Sequence, residues 1–269
     1  MAPTDYTTLD LAVEDRIAVL TLDRPRARNA IDAAMRTELR DAVDRVTEDT
    51  SIRGLVLTGS GSAFCAGGDI RGMQERMDLG PRVGEVGWRR QRELHDTLTR
   101  LFQLDRPTVA AVNGPALGLG LDLALTCDFL FLADTASVAS SFVKRGLVSD
   151  GGGMFHLPRR VGLSTAKDLV FSGRSVPADE ALRIGLADRV VPAGDLRATA
   201  VGYLRGLATH PAMAQALGKD ILNRSLELSI EEIHTLSGQA QAFCYMSPDH
   251  QQSVREFLDA RQARKTNTA

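Results

Sequence analysis

Two glycine-rich turns are the places where the backbone itself could do chemistry. Phe64-Cys65-Ala66-Gly67-Gly68-Asp69-Ile70 follows the apolar run Gly54–Thr58, and Gly114-Pro115-Ala116-Leu117-Gly118-Leu119-Gly120 follows the run Thr108–Val112. Glycine lets backbone approach a ligand closely, and N–H groups at a helix start bind negative oxygen. Two such turns on neighbouring strands would aim two N–H donors at one oxygen. That is an oxyanion hole, suited to the enolate or tetrahedral anion of a thioester. Taken singly, each reads first as an ordinary tight turn, since glycine-rich turns are common. Gly118-x-Gly120 invites a dinucleotide fingerprint, but position 123 is Leu and the first strand–helix unit lacks the motif, so that reading fails.

Two carboxylates follow. Asp122 sits in LGLGLDLALT with apolar residues on both sides. A carboxylate there is paired, desolvated, or facing a cavity, which leaves a structural role and an acid/base role both open. Asp150 precedes Gly151-Gly152-Gly153 and the helical pattern Met154–Val161, where an Asp serves as an N-cap or as a base. Ser140, Ser141 and His156 could join an Asp in a hydrolase triad, but no G-x-S-x-G elbow aims a serine. Arg24, Arg26 and Arg28, and later Arg261, Arg264 and Lys265, are surface charges or phosphate ligands.

The elements that position these residues alternate. Arg16–Leu22 and Gly54–Thr58 read as doubly covered strands, as do Thr108–Val112 and Phe129–Leu132. After Asp32, a plausible N-cap, Met35, Leu39, Ala42, Val43 and Val46 recur at helical spacing. Leu119–Thr126 reads as a short buried helix and Gln91–Leu104 as an amphipathic one. Residues 71–90, charged and glycine-rich, read as a mobile loop or frayed helix. The order implies a mostly parallel sheet with crossover helices. From about Asp195 the pattern turns all-helical, over 195–209, 211–226, 230–245 and 249–264. Two regions are therefore expected, 1–194 catalytic and 195–269 helical.

Composition narrows the classes. The 269 residues carry 32 Lys plus Arg against 34 Asp plus Glu, a net charge of −2. No global field collects nucleic acid or anionic membrane, so any anion site is local. Three scattered cysteines argue for a reducing compartment, and no CxxC or HExxH suggests a metal. The stretch Thr108–Ala133 imitates a membrane span but is broken by Asn113, Pro115, Asp122 and Asp128. MAPTDYTTLDLAVED has acids and no apolar core, so a cytoplasmic protein without a signal peptide is expected.

Six segments in this order resemble the enoyl-CoA hydratase/isomerase (crotonase) superfamily: DRPRARNAID, GSAFCAGGDIRGM, RPTVAAVNGPALGLGLDLALTCDF, GLVSDGGGMFHLPRRVG, GRSVPADEALRIGLADRVV and EFLDARQAR. Together they span about residues 14–264. The resemblance implies an α/β crotonase-like ββα spiral with a helical C-terminal trimerisation region, and a homotrimer or dimer of trimers. It implies an acyl-CoA substrate, with coenzyme A part of that substrate and no other cofactor, metal, nucleic-acid or membrane partner. The backbone N–H groups of Gly68 and Leu119 match the family's oxyanion hole. Arg28, Ala30, Ala66, Asp69 and Ile70 match positions that bind coenzyme A, and Phe257 and Arg261 match a C-terminal element that completes the site of a neighbouring subunit.

Asp122 matches the first of two hydratase glutamates, and Phe142 stands where the second would be. Asp150 matches an Asp found in family members that move double bonds. The resemblance thus points first to carbon–carbon double-bond isomerisation, with Asp122 and Asp150 as acid/base groups and Phe142 in the acyl pocket. Hydration of a trans-2-enoyl-CoA is the alternative. A non-catalytic acyl-CoA- or RNA-binding homologue and a thioester hydrolase complete the range; the missing basic excess counts against RNA, and the missing acid at 142 against hydrolysis.

Overall fold

In the computed structural model, which describes residues 6–266, the apolar runs pair into a largely parallel six-stranded sheet. β1 (Leu9–Glu14) and β2 (Ile17–Leu22) form an antiparallel hairpin, with Leu9 opposite Leu22. The chain crosses over through α1 (Ala33–Glu48) to β3 (Gly54–Gly59), which lies parallel to β2. Asp32 caps α1, its carboxylate accepting the Met35 N–H at 2.9 Å. The buried face of α1 is Met35, Leu39, Ala42, Val43 and Val46, the set predicted by helical spacing. β2 and β3 are covered on both faces, which is why they are apolar without alternation. β1 is not evident from its residues: LDLAVE carries two acids and sits at the sheet edge, where one side faces water.

The segment expected as a mobile loop or frayed helix is helical. α2 (Ile70–Met77) is followed by α3 (Val83–Phe102), which begins eight residues before the expected Gln91. Gly84 and Gly87 lower its propensity. The i,i+4 pair of Glu85 and Arg89 at 3.1 Å and the Arg92 guanidinium 4.9 Å over Trp88 support it locally. Leu94, Leu98 and Leu101 anchor its second half in the core.

β4 (Thr108–Val112) pairs with β3. β5 (Ala116–Leu117), α4 (Leu119–Leu125), β6 (Phe129–Ala133) and β7 (Ser137–Ala139) follow. Then come α5 (Gly153–Ser172), β8 (Val176–Pro177), α6 (Ala178–Arg183) and β9 (Arg189–Val191). The large sheet runs β1-β2-β3-β4-β6-β9, and a small one runs β5-β7-β8. β4–β5–α4 and β6–β7–α5 each put one strand in the large sheet, one in the small sheet, and then a helix. This is the expected ββα spiral. The helical pattern Met154–Val161 ends at a kink in α5, where Gly162 has φ 76°.

Strands cease after β9 among the described residues. α7 (Leu196–Leu207) buries Leu196, Ala200, Val201 and Leu204 and packs on β3 and β4. It therefore belongs with the sheet, and the first compact unit closes at Leu207. The second unit begins at Ala208 and contains α8 (Ala212–Arg224), α9 (Ile230–Met246) and α10 (Pro248–Thr266). Ser229 and Glu232 start α9 with a reciprocal capping box.

Candidate active site

Arg24 organises the approach to the first glycine-rich turn. Its guanidinium donates to the Ala30 carbonyl and pairs with Asp69 at 3.0 Å and Asp32 at 3.1 Å. Burial opposes ionisation of Asp69, but the Arg71 N–H and Arg24 overcome it and hold the carboxyl below its usual range. Arg28 and Asn29 both adopt left-handed backbone, at φ 50° and 56°. Asn29 makes this tolerable: it is fully buried, accepts the Arg24 N–H at 2.8 Å, and donates to the Ser60 and Ala63 carbonyls. Ala66 N–H then donates to the Arg28 carbonyl at 2.9 Å.

The two turns lie against each other. Cys65 N–H donates to the Pro115 carbonyl and Leu117 N–H to the Cys65 carbonyl. A β-carbon on Gly120 would lie 2.2 Å from the Cys65 carbonyl oxygen, so only glycine permits this contact. A β-carbon on Gly67, at φ 97°, would lie 2.8 Å from the Leu117 carbonyl oxygen and 3.6 Å from the Leu119 nitrogen. Leu119 is the first residue of α4, where a helix leaves its N–H groups unsatisfied. Among the described residues, neither the Gly68 nor the Leu119 N–H donates a hydrogen bond within the chain. Both residues line a single cavity of about 1080 Å³. Burial pushes the Cys65 thiol between the turns up to about 12, which makes it a packing group rather than a nucleophile.

Asp150 lines the same cavity and is half-buried. It does not cap α5, whose N-cap is Gly152 at φ 98°. Asp150 instead accepts the Gln91 side-chain N–H at 2.9 Å. Asp122 is fully buried behind it and is not among the lining residues. Its Oδ2 accepts the Ser149 hydroxyl at 2.7 Å and the Gly151 N–H at 2.9 Å, the residues on either side of Asp150. The Gly153 N–H helps from nearby, but no hydrogen bond reaches Oδ1. Burial pushes Asp122 up to about 6; the Ser149 and Gly151 bonds oppose this, and the Asp150 charge adds to it.

Of the positions expected from the sequence, the first compact unit brings Arg28, Ala30, Ala66, Gly68, Asp69, Ile70, Leu119, Phe142 and Asp150 to one cavity wall. Phe257 and Arg261 lie on α10 in the second unit. Arg24, Gln91, Leu94, Arg145, Leu147 and Val148 also line the cavity. Leu94 carried a legible signal as an apolar position of the amphipathic helix expected over Gln91–Leu104, whereas Gln91 reads there as a polar surface residue. His156 packs edge-on against Phe102 and Phe155, and burial, with Arg160 and Arg159, depresses it to about 4. Among the described residues no cluster of His, Cys, Asp or Glu is suited to a metal ion, and no helix is long and apolar enough to cross a membrane.

An α/β spiral that brings two glycine-rich turns to one cavity defines a class of proteins, and comparison assigns the family. Residues 12–267 match the family described as enoyl-CoA hydratase/isomerase. The chain is 32% identical to the short-chain-enoyl-CoA hydratase of Clostridium acetobutylicum, over 93% of this chain and 94% of that one. It is 34% identical to the crotonyl-CoA hydratase of Syntrophomonas wolfei, over 96% and 97%. The crystal structure of an enoyl-CoA hydratase/isomerase from Cupriavidus metallidurans matches with a TM-score of 0.89 at 32% identity, covering 96% of this chain and 95% of the other. The chain belongs to the enoyl-CoA hydratase/isomerase family, within the crotonase superfamily, and is an enoyl-CoA hydratase or isomerase.

Proposed function

We propose that the cavity binds an acyl-CoA thioester and that the chain hydrates an enoyl-CoA. The supporting observation is the pair of uncommitted N–H groups, Gly68 and Leu119, at a cavity that also holds Asp150. With the thioester oxygen on these donors, charge is drawn from the conjugated double bond and the β-carbon becomes electrophilic. Asp150 takes a proton from water as its oxygen bonds to the β-carbon. The enolate collapses as Asp150 gives that proton to the α-carbon and returns to its carboxylate form. Asp122 acts from behind, through Ser149 and Gly151. Arg28, Ala30, Ala66, Asp69 and Ile70 hold coenzyme A, and Phe257 and Arg261 of a neighbouring copy close the site. Coenzyme A is part of the substrate, and the reaction needs no further cofactor. The names of the relatives weigh for hydration over the double-bond shift that the acid positions first suggest.

The double-bond shift remains the second reading, and one observation favours it. The Phe142 ring lies beside the Leu119 turn, within 3.7 Å of where a β-carbon on Gly118 would sit. A ring there dries the wall where a hydratase would hold a second carboxylate. Asp150 would then remove a proton from one carbon and return it at another, with no activated water.

Incubation with a panel of trans-2- and 3-enoyl-CoAs, read by mass spectrometry, separates the two. Gain of one water marks hydration. An unchanged mass with a displaced double bond replaces it by the second reading. Gly68→Pro deletes one donor, and a folded variant is expected to lose about 10²–10³ in rate. Full activity of that variant on every thioester would remove the paired donors from the mechanism.

A further inference from the structure

α3 carries a residue that the family resemblance does not assign. Gly87, Arg90, Gln91 and Leu94 present one face of this helix to the cavity. From that face the Gln91 amide donates to Asp150 Oδ2 at 2.9 Å, across 59 residues of sequence. Asp150 Oδ1 accepts nothing within the chain among the described residues. On the opposite side, Asp122 fixes Ser149 and Gly151 and so holds the backbone of Asp150.

We propose that Gln91 is a positioning residue for Asp150: its amide ties one carboxylate oxygen and leaves the other for the substrate. The inference rests on the reading of Asp150 as the carboxylate that moves protons. The choice of side chain fits the task. A lysine or arginine at 91 would pair with the carboxylate and weaken it as a base. A glutamate would repel it. A neutral amide orients the group through one hydrogen bond and brings no charge of its own. The Asp122 charge on α4 couples to Asp150, and Arg90 on α3 and Arg145 after Phe142 are among the charged side chains that line the same cavity. His156, depressed to about 4, is neutral over the working range of pH.

The test is a series at position 91, assayed on whichever thioester the wild-type chain turns over. Gln91→Leu is expected to lower kcat about tenfold to a hundredfold, the worth of a hydrogen bond to a charged group, with little change in KM. Removing a donor from a carboxylate favours its protonated form, and a neighbouring negative charge does so more strongly. The acidic limb of kcat against pH should therefore stand lowest in Gln91→Lys, then rise through wild type and Gln91→Leu to Gln91→Glu. A packing defect would not produce that order. In an Asp150→Asn background the same substitutions should have no further effect, because the partner is gone. Wild-type kcat and pH profiles across the series, with Asp150→Asn inactive, would overturn the role of Gln91 and leave that of Asp150 intact. Full activity of Asp150→Asn would overturn the reading of Asp150 itself, and Gln91 with it.

Discussion

Asp122 is a carboxyl group with one oxygen satisfied twice and the other satisfied by nothing. Its Oδ2 holds the Ser149 hydroxyl and the Gly151 N–H, while Oδ1 is buried without a hydrogen bond. Such a group is easier to bury protonated, which is why it is pushed up to about 6. The linkage has a definite sign. An unfolded Asp titrates near 3.9. Between that value and about 6 the folded chain binds the extra proton, so this group costs stability as pH rises through the window. Asp122→Asn stays neutral and can still accept from Ser149 and Gly151. Its stability relative to wild type should therefore improve between pH 4 and pH 7, by about 2–3 kcal/mol. Denaturant titrations of both proteins at the two pH values measure this. A difference that does not change with pH would show that Asp122 titrates normally. Comparing the two proteins matters, because His156, depressed to about 4, has the opposite slope: it costs stability as pH falls below its usual range. Asp122 was legible in the sequence because a carboxylate stands out in an apolar helix. Gln91 was not, because a glutamine on an amphipathic helix looks like solvated surface until its partner is placed 59 residues away.

At the scale of elements, α1 shows what single-sequence reasoning can and cannot reach. Its start and its buried face follow from Asp32 and the helical spacing of its apolar residues. Its end depends on Arg106, distant in sequence and nearly buried. That guanidinium donates to the carbonyls of Val46, Asp49 and Ile52 at 2.7–3.0 Å and to Thr47 at 3.2 Å. They lie at the end of the helix and in the loop after it, where carbonyls lose their intrahelical partners; the Asp49 carbonyl also accepts the Ile52 N–H at 3.1 Å. Arg106→Ala is expected to cost about 2–4 kcal/mol, measured by denaturant unfolding, because the buried hydrogen bonds to the Val46 and Ile52 carbonyls are lost together with the packing of a nearly buried side chain. A cost in the ordinary range of a surface substitution would mean that water replaces the guanidinium there. The same locality explains the other differences. β5, β7, β8 and β9 are two or three residues long and carry no period of their own. β1 is defined by its pairing with β2, and α3 by its anchoring at Leu94, Leu98 and Leu101 as much as by its glycine-weakened first turns. The two N–H donors needed both levels: their turns were visible in composition, but their juxtaposition depends on the contact between Gly120 and Cys65.

At the scale of the whole molecule, the second unit exposes large apolar side chains along its helices. α8 and α9 contain no buried residue, and on them and in the turn between them Leu222, Leu226, Ile230, Phe243 and Met246 are each more than half exposed. Phe257 on α10 is 67% exposed. Burying a large apolar side chain is worth about 1.5–3 kcal/mol, so a surface that covered these side chains would be favoured. The occupant proposed here is further copies of the same chain, assembled as a trimer or a dimer of trimers. The resemblance to a family with a helical trimerisation region points the same way. A closed symmetric ring meets the need, because each copy then offers one patch and covers another. The active site gives a second reason, since Phe257 and Arg261 would reach the coenzyme A of a neighbour. Light scattering at micromolar concentration should therefore report three or six times the chain mass of 29.0 kDa. Leu222→Glu and Phe243→Glu place a charge on the exposed apolar surface and should shift the mass downward. If assembly also completes the site, activity should fall with dilution in these variants, and KM for the thioester should rise before kcat falls. A wild-type chain that remains at 29.0 kDa across this range, with full activity, would leave the apolar face of α8 and α9 to some other partner.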